Sequence, residues 1–165
     1  MPGMSVTWHL NGTGWADVVV ADHETDVEVT ASYITAAPED LLTAVARLIC
    51  GEGETRAQFE AEPTAFRWIF YREASDVWIR LIELPDGRLQ DNAGSEIWSS
   101  WQTVDTLARA VIRCFDEVAR KYGESGYRGR WNEHFPRSEL EALRAAWRTR
   151  PQVKPDGSGN TRSSV

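Results

Sequence analysis

The sequence has few of the residues that bind metals or form disulfides. Its 165 residues include two cysteines, Cys50 and Cys114, and three histidines. The cysteines lack the paired spacing of a zinc site, and no HxH or HExxH spacing links His9, His23 and His134. We therefore expect no metal and no other cofactor. Both cysteines fall in predicted helices, where we expect them as small buried residues of a protein in a reducing compartment.

Long apolar segments are also lacking. No stretch approaches the roughly 18 apolar residues of a membrane-spanning helix. The first residues, MPGMSV, have neither the basic region nor the apolar core of a signal peptide. We therefore expect a cytoplasmic protein that has no membrane partner.

The motifs of catalytic nucleophiles and phosphate-binding loops are missing as well. No serine lies in a GxSxG sequence, and Cys114 lies within a predicted helix. The nearest approach to a glycine-rich loop, Gly12-Thr13-Gly14, lies between two predicted strands, where a hairpin turn is the simpler interpretation. No catalytic residue is therefore predicted, and an enzyme with an unfamiliar site remains an open alternative.

The sequence is acidic, and the acidity is unevenly distributed. The chain carries 18 Lys+Arg against 25 Asp+Glu, a net charge of −7. Residues 1–64 have a net charge of −9, residues 65–147 of −1, and residues 148–165 of +3. A strongly negative segment repels phosphates, so we expect no nucleic-acid partner. It attracts basic proteins instead, unless the charge serves only solubility.

Alternating apolar and polar residues predict two groups of strands. The first group covers residues 5–10, 15–21 and 26–31, and the second covers 56–61, 66–71, 77–82 and 96–100. Short turns separate most of these strands, so each group predicts an antiparallel meander.

Helical periodicity predicts three further elements. Pro38 suits the first turn of a helix that ends before Gly51. Thr103 is a predicted N-cap for a long helix that ends at Gly123, and Ser138 with Glu141 suggests a capping box for the last helix. The order is βββ-α-ββββ-αα, which predicts an α+β fold: an antiparallel sheet built from two meanders, with helices packed on one face. We expect a single domain over residues 4–148 and a flexible basic C-terminal tail over 149–165.

Two groups of residues are candidates for binding a partner. The acidic candidates cluster around one predicted turn and strand, and the aromatic candidates are tryptophans that a purely buried core does not require. They are Asp22, Glu24, Asp26 and Glu28, with Trp78, Trp98 and Trp101. The alternatives are a solvated edge strand for the acids and sheet–helix packing for the tryptophans.

Several short motifs lie along the chain between Trp8 and Leu143. They are Gly12-Thr13-Gly14-Trp15-Ala16, Ser32-Tyr33-Ile34, Glu62-Pro63, Phe66-Arg67-Trp68, Tyr122-Gly123-x-x-Gly126-Tyr127, Trp131 and His134-Phe135-Pro136. With these motifs the chain resembles a family of small bacterial, actinobacterial-like proteins of uncertain function. As a small acidic α+β protein it is also similar to immunity proteins of bacterial toxin systems. The resemblance implies no catalytic residue.

These observations favour a non-catalytic protein-binding module. We interpret it as an immunity-like inhibitor of a basic toxin or effector, which it would block by complementary charge and a few aromatic anchors. The alternative is an accessory protein that recognises a peptide or partner protein in a biosynthetic or regulatory pathway, through an open strand edge or a tryptophan-lined groove. An enzyme would instead show a pocket with convergent titratable groups.

Overall fold

Each predicted meander forms its own antiparallel sheet. The computed structural model describes residues 3–151. The first sheet contains β1 (Met4–Asn11), β2 (Trp15–Asp22) and β3 (Asp26–Ser32), in that order. The second contains β4 (Glu54–Glu60), β5 (Ala65–Glu73), β6 (Asp76–Leu84) and β7 (Ser95–Thr103), also in chain order. The predicted α+β order is confirmed, with two sheets of three and four strands.

Three helices complete the fold. They are α1 (Ala37–Ile49), α2 (Val104–Trp131) and α3 (Arg137–Arg148). Thr103 caps α2 as predicted, because its side chain accepts a hydrogen bond from the Thr106 N–H at 3.0 Å. None of the helices in the described part of the chain is long and apolar enough to cross a membrane.

Three local predictions require correction. Gly123 does adopt a positive φ of 67°, but a further helical segment follows it and extends α2 to Trp131. The capping box of Ser138 and Glu141 is wrong, because the N-cap of α3 is Pro136, two residues before Ser138, and the Glu141 carboxylate accepts from Arg137 at 3.1 Å instead. Cys114 is buried as expected, whereas Cys50 is exposed because it lies just past the end of α1.

The two sheets share one core, and Trp8 of β1 lies at its centre. The Trp8 ring centroid is 5.6 Å from that of Phe59 in β4, 5.5 Å from Phe115 and 5.6 Å from Trp131, both in α2. Aromatic rings at these separations make favourable edge-to-face and tilted contacts in addition to burying apolar area. One indole therefore joins both sheets to the long helix.

The helices pack on the inner side of the sheets. Helix α2 packs against β1, α1 packs against β4, and α3 packs against α1. On the other side of the four-stranded sheet, the segment over residues 85–94 folds across a small second cluster that includes Ile69 and Ile82. Arg67 holds this segment by donating to the Leu89 carbonyl at 2.9 Å and to Asp91 at 2.8 Å.

The structure describes only residues 149–151 of the predicted C-terminal tail. The Arg150 guanidinium lies 2.8 Å from the Asp105 carboxylate and 4.3 Å from the Trp147 ring centroid. Residues 152–165 lie outside the described residues, so the expectation of a flexible basic tail stays a prediction.

Truncating Trp8 tests its position at the centre of the core. Trp8→Ala should lower the free energy of unfolding by about 3–5 kcal/mol, since it removes buried area and leaves a cavity between the sheets. Urea denaturation measures this loss. Thr7→Ala is the matched control, because Thr7 is an exposed neighbour on the outer face and its truncation should cost less than about 0.5 kcal/mol. A cost for Trp8→Ala close to that of the control would contradict the shared core.

Candidate partner-binding surface

The predicted acidic residues lie on the hairpin of β2 and β3, here called the acidic hairpin (Asp22, Glu24, Asp26 and Glu28). In the strand register, Asp26 lies opposite Ala21 and Glu28 lies opposite Val19. Because side chains two residues apart share a face of a strand, both carboxylates lie on the outer face of the sheet. Asp26 and Glu28 are exposed, and Glu24 is exposed in the turn between the strands.

Asp22 differs from the other three, because both of its carboxylate oxygens accept hydrogen bonds from other groups of the protein. Oδ1 accepts from the backbone N–H groups of Glu24 at 2.8 Å and Thr25 at 2.9 Å, and Oδ2 accepts from the Ser100 hydroxyl at 2.7 Å. Partial burial opposes ionisation, but these hydrogen bonds outweigh it and hold the pKa of Asp22 below its ordinary value. Asp22 thus closes the turn and ties it to β7.

Trp98 makes a second contact between the same two elements. Its Nε1–H donates to the Thr25 carbonyl at 3.4 Å, and the residue is only 4% exposed. Trp98 and Ser100 are on the inner face of β7, which the turn of the acidic hairpin covers. Trp98 therefore belongs to the core, and it is not an exposed anchor.

The other two tryptophans lie on the outer face of the four-stranded sheet. Trp78 of β6 lies directly opposite Trp101 of β7, with ring centroids 5.1 Å apart, and Trp101 is 55% exposed. Tyr71 of β5 lies opposite Trp78 in the register. These three residues, here called the aromatic row, cross three neighbouring strands. Sequence reasoning missed Tyr71, because only the pairing of β5 with β6 places it beside Trp78.

The acidic hairpin and the aromatic row meet at β7. Ser100 faces inward to Asp22, and the next residue, Trp101, faces outward. Consecutive residues of a strand are about 3.3 Å apart along the chain and point to opposite faces. The turn that carries Glu24 therefore lies at the sheet edge that carries the exposed indole.

The charge of the acidic hairpin is not neutralised by the protein. Elsewhere, arginines lie close to many carboxylates: Arg47–Glu52, Arg56–Asp91, Arg80–Glu96, Arg88–Asp86, Arg137–Glu124, Arg144–Asp116 and Arg150–Asp105. Within residues 3–151, no lysine or arginine lies within 4.0 Å of the carboxylates of Glu24, Asp26 or Glu28; Glu24 has only His23, at 3.5 Å. Three carboxylates therefore remain available to a partner.

A separate cleft between α1 and α3 has the feature expected of the enzyme alternative, because several titratable groups line it. It has a volume of about 420 Å³, and its lining includes Tyr33, Glu39, His134 and Glu139. Burial raises the pKa of Glu39 above its ordinary value, and the nearby carboxylates, Glu139 foremost, raise it further against one backbone hydrogen bond. No group of three acidic, histidine or cysteine residues in the described part of the chain is arranged to hold a metal ion.

Comparison with known proteins yields one structural likeness. No protein-family model and no curated protein matches the sequence. A chain of the CdiA-CT/CdiI toxin and immunity complex from Enterobacter cloacae is 11% identical, with a TM-score of 0.44, over 70% of this chain and 99% of that chain. A TM-score this low does not indicate a shared fold.

The pH dependence of stability tests the role of Asp22. A carboxylate whose folded-state pKa lies below its unfolded-state value contributes stability above the unfolded-state pKa, near pH 4, and this contribution is lost as the pH falls through the folded-state pKa. Asp22→Asn should therefore lower the free energy of unfolding by about 1 kcal/mol near pH 7, and the difference should narrow toward pH 3.

Urea denaturation at both pH values measures the difference. Glu24→Gln is the matched control, since Glu24 is exposed and its side chain lies near no arginine or lysine of the described residues. A constant deficit for Asp22→Asn across this pH range would show that the charge of Asp22 does not stabilise the turn.

Proposed function

We propose that the chain is a non-catalytic protein-binding module that acts as an immunity-like inhibitor of a basic toxin or effector in the cytoplasm. One observation carries the proposal: three exposed carboxylates with no lysine or arginine partner in the described residues lie beside the sheet edge that presents Trp101. The expected membership in a family of small bacterial proteins is part of this proposal.

The three free carboxylates give the surface a strong and directed negative charge. Glu24, Asp26 and Glu28 lie within five residues of one hairpin, so their fields add over the roughly 8 Å through which charge acts at physiological salt. Such a surface increases the association rate of a positively charged protein and orients it during the encounter. It also discriminates against acidic partners.

Trp101 supplies the apolar part of the same contact. Its indole is half exposed, and it packs on Trp78, which in turn lies beside Tyr71 in the register. An aromatic side chain that is already supported loses little conformational freedom on binding, which makes it an effective anchor. Occlusion of a basic active face by this surface would inhibit a toxin without any chemical step.

The activity itself is tested by co-expression. The partner is first isolated by affinity capture from the native host or taken as the product of the neighbouring gene. If that protein is toxic when expressed alone, co-expression of the full chain should restore growth. A captured partner that is not toxic, or toxicity that the chain does not relieve, would contradict the inhibitor proposal.

Neutralising the acidic hairpin tests the electrostatic part. The triple variant Glu24→Gln, Asp26→Asn and Glu28→Gln should slow association with the purified partner about tenfold at low salt and flatten the dependence of the association rate on salt. The dissociation rate should change less. Stopped-flow or biosensor kinetics at low and high salt measure both rates.

A matched control separates local charge from net charge. Glu62→Gln, Glu83→Gln and Glu133→Gln change the net charge by the same three units at exposed positions away from the acidic hairpin and the aromatic row. This control should retain most of the wild-type association rate. Equal slowing by the two triple variants would show that only the overall charge matters, and the acidic hairpin would not be the site.

Removing the exposed indole tests the anchor. Trp101→Ser should speed dissociation of the same partner about tenfold or more while changing association little, because truncated hot-spot residues act mainly on the dissociation rate. The protein should remain folded, since Trp101 is 55% exposed, but it should lose the stability that the contact with Trp78 supplies. Tyr33→Ser, at another exposed aromatic residue, is the control and should leave the kinetics unchanged. An unchanged dissociation rate for Trp101→Ser would exclude the anchor.

A further inference from the structure

Strand β1 is an edge strand, and the hydrogen bonds of Leu10 show which of its backbone groups point away from β2. It pairs only with β2 in the sheet order. The Leu10 N–H donates to the Tyr122 hydroxyl at 3.1 Å, and the Leu10 carbonyl accepts from Arg130 at 3.1 Å. The backbone of Leu10 therefore faces away from β2. Because this direction alternates along an antiparallel strand, the N–H and C=O groups of Val6 and Trp8 face the same way.

The outward edge is covered at one end and open at the other. Tyr122 and Arg130 occupy the backbone groups of Leu10. Among residues 3–151, no side chain or loop makes a hydrogen bond to the outward groups of Val6 or Trp8. An unpaired strand edge of this kind is a template for a further strand.

A groove of about 220 Å³ runs along this open edge, between β1 and α2. Its helical side presents Ala110, Cys114 and Val118, which are four residues apart and so share one face of α2. Their side chains are buried and apolar, and the first two are small. A shallow recess therefore lies beside the open edge of β1, and small apolar side chains of α2 line its floor.

The rim of the groove carries more positive than negative charge. Arg113, Glu117 and Lys121 line it from α2, and Glu117 is paired with Arg120. Within the described residues, the Arg113 guanidinium has no carboxylate within 4.0 Å, and Lys121 contacts the His9 ring nitrogen at 3.1 Å. The cations of the rim therefore match carboxylates of a bound segment.

We infer that this groove is a peptide-binding site that takes a short, extended, acidic segment of a partner protein as a fourth strand of the three-stranded sheet. The open edge from Met4 to Trp8 accommodates about five residues, or roughly 17 Å of strand. Apolar side chains of the segment would face Ala110 and Cys114, and carboxylates would face Arg113 and Lys121. The groove contains no residue of the acidic hairpin. The peptide-binding site and the proposed inhibitor function can therefore be tested independently.

Amide hydrogen exchange of the full 165-residue chain tests the site with a defined probe. The probe is the blocked peptide Val-Glu-Val-Glu-Val in millimolar excess. It should slow exchange of the Val6 and Trp8 amides at least about tenfold and leave Thr7 unchanged, because the Thr7 amide already faces β2. The same peptide with lysine in place of glutamate should give little protection. No slowing at Val6 and Trp8, or equal slowing by both peptides, overturns the inference.

A charge reversal and a concentration series complete the test. Arg113→Glu should weaken binding of the glutamate peptide about fivefold or more, whereas the control Arg128→Glu, on an exposed part of α2 outside the groove, should not. Equal weakening by both variants counts against the site.

A concentration series without peptide tests whether a second copy of the chain occupies the edge. Protection of the Val6 and Trp8 amides that rises with protein concentration would show such self-association and would also overturn the inference.

Discussion

The contact of Trp8 with three other aromatic rings is the interaction on which the rest of the structure depends. It brings together β1, β4 and α2, which are far apart in the chain. Burying one indole against Phe59, Phe115 and Trp131 removes a large apolar area from water at a point where no backbone ladder joins the two sheets in the described residues. The relative position of the sheets is therefore set by side-chain packing.

This packing decides which strand edges and faces are accessible. Because Trp8 holds β1 against α2, the free edge of β1 runs along the helix and a groove forms between them. At the other end of the first sheet, the turn between β2 and β3 meets β7 through Asp22, Ser100 and Trp98. Four clustered acids thus have two roles: one stabilises the contact between the sheets, and three face solvent.

The order of the elements could be predicted because each depends on local periodicity. The strands of both meanders and the N-cap at Thr103 follow from alternation and side-chain chemistry within a few residues, whereas the helical segment after Gly123 was not predicted. The predicted capping box at Ser138 is wrong because Pro136, two residues earlier, is the N-cap of α3. The prediction of Trp98 as a partner-binding residue is wrong because the turn of the other sheet covers its side chain. The pattern of residues in β7 gives no sign of that contact.

By itself, the sequence determined the α+β class, the acidity of the first two-fifths of the chain and the common face of Asp26 and Glu28, because composition and strand period are local properties. Only the tertiary structure decided that the meanders form two sheets, that Asp22 is engaged while Glu24 is free, and that Tyr71 joins Trp78 and Trp101. Those outcomes depend on pairing and packing between distant segments, where burial and hydrogen-bond geometry select one arrangement among many that the same local pattern allows.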